Sequence, residues 1–218
     1  GLGDVYKRQQ HSQIVLSAEA IFILDSNHPD RLESLKPLVL RSSATKVCID
    51  HHLDKADFAD LYILDEQSTA TGEILYHLLR FLDNMAMTPA IAESLYTAIM
   101  TDTGSFRFPK TDAEVHRIIA DLIECGADPV SIYQQVYEQG SANRVRLIGQ
   151  VLGTLQLAHD GRVAYLTVTK QMFEATDTQE EDTENFVTQT LGIRGVEIGL
   201  MFTELPQGTK VSFRSKGD

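Results

Sequence analysis

The sequence has few cysteines and no long apolar run. Its only two cysteines are Cys48 and Cys125, too few for a disulfide framework and unlike a zinc-binding pattern, and this favours a reducing cytoplasm. No apolar run approaches the ~20 residues that a membrane-spanning helix needs, and no secretory-leader pattern opens the sequence. We therefore expect a cytoplasmic protein without a membrane segment.

Clustered basic residues are also lacking. Acidic residues outnumber basic ones 31 to 19, which gives a formal net charge of −12. Binding along duplex DNA requires grouped lysines and arginines, so we expect no long duplex DNA as a partner. An anionic substrate would have to be attracted by something other than net charge, and bound cations would serve.

Two short apolar runs, each closed by an acid, predict buried strands. "AIFIL" spans 20–24 and precedes Asp25, and "VCI" spans 47–49 and precedes Asp50. Runs without alternation are typical of parallel strands that are covered on both faces. Amphipathic stripes then predict successive helices, one of which opens with a capping box formed by Thr111 and Glu114. The first part of the chain is therefore expected to be an α/β domain with a parallel sheet.

The pattern changes in the second part of the chain. Ser141 can cap a helix that we interpret as a linker. "RVAYLTVT" alternates like a strand, a helix is expected around 182–191, and "VEIGLMFTEL" and "KVSFRS" flank "PQGT" as in a hairpin. We predict four segments: a non-native adapter scar over 1–9, the α/β domain over 10–139, the linker helix over 140–158 and a smaller, incomplete α+β domain over 159–218.

Acids and imidazoles occupy the predicted strand ends. Asp25 follows the first strand, Asp50, His51 and His52 follow the second, and Asp102 ends a helix just before a glycine turn. Open parallel sheets bind ligands beyond the carboxyl ends of their strands. Such a mixed oxygen and nitrogen set favours Mn²⁺, Mg²⁺ or Fe²⁺ over a thiolate zinc site. A turn or helix cap is the alternative explanation for each isolated aspartate.

Taken together, these strings resemble the DHH phosphoesterase family. The resemblance rests on "FILDSNHPDR", "IDHH", "TATGEIL" and "TDTGSFRF", followed by "GVEIGLMFTEL" and "KVSFRSKG". The last two strings are similar to the start of the DHH-associated C-terminal domain. Within the family, the nanoRNase and pAp (adenosine 3′,5′-bisphosphate) phosphatase branch is the most similar, and it includes enzymes that break down cyclic dinucleotides.

The resemblance implies a two-metal hydrolase, usually run with Mn²⁺. It assigns Asp25 as a bridge between both metals, and His51 and Asp102 as ligands that complete the second metal. It places His52 against the substrate, where it would orient the scissile phosphate or protonate the leaving oxygen. Asp50 would hold an imidazole tautomer, or would simply cap a turn.

Contacts to the substrate are implied at three further positions. Arg214 and Ser215 match an Arg-Ser pair of the second domain, and a guanidinium suits a terminal phosphate. Arg107 follows the "TDTG" turn and could touch phosphate, with exposure to solvent as the alternative. Thr71 opens a helix together with two other hydroxyl residues, and there we favour ordinary capping over anion binding.

Two features of the family pattern are not found. The family carries a His-x-x-x-Asp-x-Asp motif on its first strand, whereas His11 is followed at those two spacings by Val15 and Ser17. A glycine-rich segment with a histidine, which ends the family pattern, also has no match. We therefore expect a fragment truncated at both ends that has little or no activity by itself.

The resemblance leads to one main functional hypothesis and several alternatives. The main hypothesis is hydrolysis of short oligoribonucleotides to mononucleotides, dephosphorylation of pAp to AMP, or both. The alternatives are a phosphodiesterase for cyclic di-AMP or its linear product, and a non-catalytic module that binds small nucleotides. An inorganic pyrophosphatase fits less well, because that relative has a different second domain. Family members often form dimers, and the sequence leaves a homodimer open.

Overall fold

The protein is described by a computed structural model, which covers residues 12–82 and 86–216. The chain divides between Gln135 and Val136 into two compact units, and each is described here by itself. The predicted scar at 1–9 and His11 lie outside the described residues. Within the described part of the chain, no helix has the length and apolar character needed to cross a membrane.

The first unit is built on a parallel three-stranded sheet. Its strands are β1 (Ala20–Leu24), β2 (Thr45–Asp50) and β3 (Leu61–Leu64), in the order β1-β2-β3. Leu24 pairs with Ile49, and Asp50 pairs with Leu64, so the carboxyl ends of the strands lie side by side. The predicted α/β class with a parallel sheet is confirmed. β3 was not predicted, because four residues are too few to show a period.

Helices connect and cover these strands. They are α1 (residues 12–17), a 3₁₀ helix η1 (Pro29–Leu35), α2 (Lys36–Arg41), α3 (Thr71–Phe81), α4 (Pro89–Asp102), α5 (Ala113–Glu124) and α6 (Pro129–Tyr137). Val47 and Ile49 of β2 pack against Ile74 of α3. α3 approaches α4 closely at Gly72, where an added Cβ would lie 2.9 Å from the Cβ of Ala98. Hence α3 joins the sheet to the helices behind it.

The start of α5 corrects one prediction from the sequence. The expected Thr111–Glu114 capping box is wrong, because Asp112 is the N-cap residue. Its Oδ1 accepts hydrogen bonds from the amides of Glu114 at 2.8 Å and Val115 at 3.1 Å. A carboxylate satisfies the free amides of the first turn, and here it lies one residue later than the sequence pattern indicated.

The second unit is a mixed four-stranded sheet with short helices. Its elements are α7 (Ala142–Leu152), β4 (Gln156–Ala158), β5 (Val163–Val168), α8 (Lys170–Thr176), the 3₁₀ helices η2 (Glu180–Thr183) and η3 (Phe186–Gly192), β6 (Ile198–Leu205) and β7 (Gly208–Ser215). The strand order is β4-β5-β6-β7, with β5 and β6 parallel and the other pairs antiparallel. The hairpin of β6 and β7 is as predicted. The helix expected around 182–191 is instead two 3₁₀ helices, interrupted by Asn185 in the left-handed region at φ 64°.

The helix interpreted as a linker is part of the core of the second unit. Leu147 and Val151 of α7 are fully buried, and they pack with Leu166, Phe186 and Met201. The sequence showed only that one face of this helix is apolar, not which sheet that face covers. The division at Gln135 also lies ahead of the linker limits predicted from the sequence. The assignment of each segment to a family domain stays a prediction.

Candidate metal centre

Asp25 directs its carboxylate over the end of the parallel sheet. It follows β1 with φ 59°, in the left-handed region that aspartate tolerates better than most residues. Its amide donates a hydrogen bond to the carbonyl oxygen of Ile49 at 3.1 Å, which ties the end of β1 to β2. The hydroxyl of Thr71, in the first turn of α3, donates to Asp25 Oδ1 at 2.8 Å. Backbone strain and a hydrogen bond from α3 together set the direction of this side chain.

His51 lies between two carboxylates. Its Nε2 is 3.5 Å from Asp25 Oδ1 and 3.6 Å from Asp102 Oδ2. Its Nδ1 lies 3.4 Å from the carbonyl oxygen of Ser68. A carbonyl can only accept, so we assign the proton to Nδ1, which leaves the lone pair of Nε2 facing both acids. A carbonyl partner of this kind commonly fixes the tautomer of a metal-binding histidine.

Asp102 reaches the site from the end of α4. The chain reverses after it through Gly104, whose φ is 56°, and a Cβ at that position would lie 2.6 Å from the ring of Phe108. Burial, followed by the negative charge of Asp25, raises the pKa of the Asp102 carboxyl above its ordinary value. Two carboxylates thus repel one another here, and a cation between them would relieve the repulsion.

Asp50 is fully buried at the end of β2 and holds His52. Its Oδ1 accepts hydrogen bonds from the amide of His52 at 2.8 Å and from the ring Nδ1 of His52 at 2.7 Å. Burial opposes ionisation of Asp50, but the hydrogen bonds from the amide and ring of His52 outweigh it and lower the pKa of the carboxyl. Its Oδ2 is buried without a hydrogen-bond partner among the described residues.

These groups fit a divalent cation. Asp25, Asp50, His51 and His52 each present a ligand atom within 4.8 Å of the others, and Asp102 adds a carboxylate through its contact with His51. The donors are oxygen and imidazole nitrogen without thiolate, a set that suits Mn²⁺, Mg²⁺ or Fe²⁺. Among the described residues, Asp50 Oδ2 has no hydrogen-bond partner, and burial together with the charge of Asp25 raises the pKa of Asp102, so a cation would be favourable at this cluster.

The three residues predicted to contact substrate are exposed, one in the first unit and two in the second. Arg107 is exposed, and its Nε donates to the carbonyl oxygen of Gly104 at 2.6 Å. Arg214 and Ser215 are exposed on β7 of the second unit. There Arg214 and Lys210 line a cavity of about 660 Å³. The structure brings together Asp25, the three residues of the DHH string and Asp102, and the roles of the three outer residues stay predictions.

Three residues around the cluster had no assigned role in the site from the sequence. Thr71, expected only to cap a helix, donates to Asp25 as described, and Ala70 is the N-cap residue of α3. Asn27 is 2% exposed, and its Nδ2 donates to the carbonyl oxygens of His52 at 3.1 Å and Leu53 at 2.8 Å. Arg31 places Nη1 at 3.4 Å from His52 Nε2. Asn27 and Arg31 belong to the string "LDSNHPDR", and such a polar run directly after a buried strand was the signal that could have pointed to them.

Two curated proteins and a solved structure are similar to the chain over most of its length. No family model matches the chain. The chain is 31% identical over 194 residues to the bifunctional oligoribonuclease and PAP phosphatase NrnA of Thermus thermophilus, covering 89% of this chain and 56% of the relative. It is 26% identical over 201 residues to the protein of the same name from Bacillus subtilis, covering 90% of this chain and 62% of the relative. The chain therefore spans little more than half the length of these relatives.

A solved structure has the same fold. The crystal structure of an exopolyphosphatase-related protein from Bacteroides fragilis superimposes with a TM-score of 0.90 at 31% identity. The match covers 97% of this chain and 63% of that protein. The resemblance seen in short strings of the sequence is thus confirmed over most of the chain.

Proposed function

We propose that the chain, which resembles the DHH phosphoesterase family, forms the metal-binding part of an enzyme that hydrolyses short oligoribonucleotides and removes a phosphate from pAp. The observation that carries the proposal is the convergence of Asp25, His51 and Asp102, from three separate elements, on one cluster. The names of the relatives from Thermus thermophilus and Bacillus subtilis support the same substrates.

The proposed cofactors are two divalent cations, Mn²⁺ in the first place, with Mg²⁺ or Fe²⁺ as alternatives. Asp25 would bridge both, while His51 and Asp102 would complete the second. Bound cations would offset the charge of the phosphate and make water a better nucleophile near neutral pH. They also explain how a chain with a formal charge of −12 could attract an anion.

His52 is proposed to face the substrate. Asp50 accepts a hydrogen bond from Nδ1, so Nε2 is the ring atom left for the substrate. His52 would orient the scissile phosphate, or hold a proton at Nε2 for the leaving oxygen, and the buried charge of Asp50 would stabilise the protonated ring. Asn27 fixes the backbone of His52 and thereby limits the movement of the ring.

The substrate class is proposed from residues of the second unit and from the negative net charge of the chain. Arg214 and Ser215 would hold a terminal phosphate, and Arg107 would add a contact near Asp102. Small nucleotides and short single-stranded RNA are the proposed substrates, in the cytoplasm, and a homodimer stays open. The sequence contains no match to His-x-x-x-Asp-x-Asp, so the second candidate is a nucleotide-binding module without catalysis, and little activity is expected of the chain alone.

Hydrolysis of pAp, a dinucleotide and cyclic di-AMP with Mn²⁺ tests the proposal, and it is measured on the complete enzyme of which the chain is proposed to form the metal-binding part. Asp25→Ala, His51→Ala and Asp102→Ala are each expected to lower turnover by about 100-fold or more, because each removes a cation ligand. Glu93→Ala, on the exposed side of α4, is the matched control for Asp102→Ala. Turnover that survives all three substitutions refutes the site, whereas tight nucleotide binding without any turnover supports the second candidate.

A further inference from the structure

The imidazole of His52 is restrained by three of its neighbours. Its backbone amide and ring Nδ1 both donate to Asp50 Oδ1, at 2.8 Å and 2.7 Å. Its carbonyl oxygen accepts from Asn27 Nδ2 at 3.1 Å. The remaining polar atom, Nε2, lies 3.4 Å from Nη1 of Arg31. Every polar atom of this residue therefore contacts the chain itself.

The carboxylate of Asp50 determines which ring nitrogen can accept a hydrogen bond. Asp50 Oδ1 accepts from Nδ1, so the neutral ring carries its proton there, and Nε2 has a free lone pair. The guanidinium of Arg31 is a donor only, and it is therefore oriented as the donor to Nε2. The atom of His52 that is proposed to face the substrate thus lies against Arg31.

The guanidinium of Arg31 is available to bind an anionic ligand. It is exposed, and among residues 12–82 and 86–216 no carboxylate forms an ion pair with it. It lies in η1, which begins with Pro29, and its amide donates to the carbonyl oxygen of His28 at 3.1 Å. Ala56 donates to the carbonyl oxygen of Asn27 at 2.9 Å, so the segment after β1 is fastened to the loop after β2. The backbone hydrogen bonds of this segment leave the exposed side chain of Arg31 as its adjustable part.

We propose that Arg31 is a phosphate-binding, specificity-determining residue that rests against His52 Nε2 and transfers its hydrogen bond to a phosphate oxygen of the bound nucleotide. This inference rests on the proposed function, since it needs a phosphate ester beside His52. The exchange leaves Nε2 free to face the ester oxygen. A guanidinium binds a phosphate through two parallel hydrogen bonds, which a weak 3.4 Å contact to one nitrogen cannot match. The ligand class is therefore small nucleotides with a phosphomonoester or an accessible phosphodiester.

Binding of AMP in the presence of Mn²⁺, measured by calorimetry, tests the inference on the full chain. Arg31→Met keeps the length of the side chain without its charge and is expected to weaken AMP binding about 10-fold or more. Arg31→Lys keeps the positive charge but lacks the two parallel N–H donors of a guanidinium. Its affinity for AMP is expected to lie between those of the wild type and Arg31→Met. Arg117→Met removes a highly exposed arginine of α5 and is the matched control. Adenosine, which lacks the phosphate, should bind equally to all four proteins.

A second measurement reports on the contact between Arg31 and His52. In ¹⁵N-histidine spectra of the metal-free chain, Arg31→Met should shift the His52 Nε2 resonance, because a hydrogen bond to that atom is lost. His52→Gln assigns the resonance. An unchanged Nε2 resonance in Arg31→Met, AMP affinity within twofold of the wild type in that variant, or absence of AMP binding to the wild type each overturns the inference.

The two proposals fail in different ways. If the wild type hydrolyses pAp and Arg31→Met leaves its KM unchanged, the role of Arg31 is refuted while the proposed function stands. If AMP binding to the chain depends on Arg31 but the complete enzyme shows no Mn²⁺-dependent turnover, the proposed hydrolase is refuted and phosphate recognition by Arg31 stands.

Discussion

The hydroxyl of Thr71 offers a sharp test of how the metal centre is held together. It joins the first turn of α3 to the end of β1, with its Oγ1 at 2.8 Å from Asp25 Oδ1. Thr71→Val removes this hydrogen bond and keeps the shape of the side chain. Thr71→Ser keeps the hydroxyl and removes a methyl group from a residue that is only 5% exposed. Comparison of the two variants therefore distinguishes loss of the hydrogen bond that orients Asp25 from loss of side-chain packing in α3.

The structure predicts similar costs in stability for both variants. A hydrogen bond to a charged group contributes about 1.5–3 kcal/mol. Because the Asp25 side chain is 51% exposed, water replaces part of this hydrogen bond, and Thr71→Val should lose about 1 kcal/mol of stability. Removal of a buried methyl group costs about 1 kcal/mol as well. Urea unfolding of both variants checks these values.

Affinity for Mn²⁺ should differ between the two variants. Asp25 Oδ1 also lies 3.5 Å from His51 Nε2, so rotation of the freed carboxylate would misplace one donor of the cluster. Loss of a residue that orients a ligand typically costs 10–100-fold in metal affinity, and we expect about 10-fold for Thr71→Val and less than twofold for Thr71→Ser. Calorimetric titration of the metal-free chain measures both. Equal Mn²⁺ affinity in the two variants would show that Thr71 does not position Asp25.

Three further predictions concern the stability of the two units. Gly104→Ala should destabilise the protein by about 1–3 kcal/mol, because φ is 56° and the new Cβ would lie 2.6 Å from an aromatic ring, whereas Gly149→Ala, in a helix and in open space, should stabilise it by about 0.5–1 kcal/mol. Hydrogen bonds from Arg80 lower the pKa of the Asp121 carboxyl, so Asp121 stabilises the folded state above its ordinary pKa, and this contribution is lost as pH falls through the lowered folded value. Asp121→Asn should therefore cost up to about 1 kcal/mol at pH 7, and this cost should shrink as pH falls below the ordinary pKa of the carboxyl. Leu147→Ala, at a position with no exposure, should cost about 2–5 kcal/mol.

Urea unfolding measures each of these changes. A neutral Gly104→Ala would contradict the left-handed turn after α4. A difference between the wild type and Asp121→Asn that does not depend on pH would show that the ion pair with Arg80 is not the source of the lowered pKa. A cost below 1 kcal/mol for Leu147→Ala would contradict the packing of α7 onto the second sheet.

The sequence predicted the strands that carry the site better than it predicted their surroundings. The apolar runs before Asp25 and Asp50 are visible as local patterns, because a strand buried on both faces must be apolar throughout. The four residues of β3 are too short to show a period. The expected Thr111 cap was wrong since Asp112, one residue later, competes for the same amides. The helix expected around 182–191 was wrong, because Asn185 adopts a left-handed conformation that interrupts it. The periodic pattern of apolar residues does not reveal such a backbone conformation.

What the sequence by itself determined is the set of chemical groups: acids and imidazoles placed directly after buried strands, and strings similar to those of a known family. Only the tertiary structure decided which of these groups meet and which neighbours orient them. Thr71 lies 46 residues from Asp25, and Arg31 lies 21 residues from His52. Sequence periodicity reports which face of an element is buried, whereas a hydrogen bond between distant residues depends on how the elements pack against one another. The partners of the metal centre therefore emerge only once the parallel sheet and α3 are assembled.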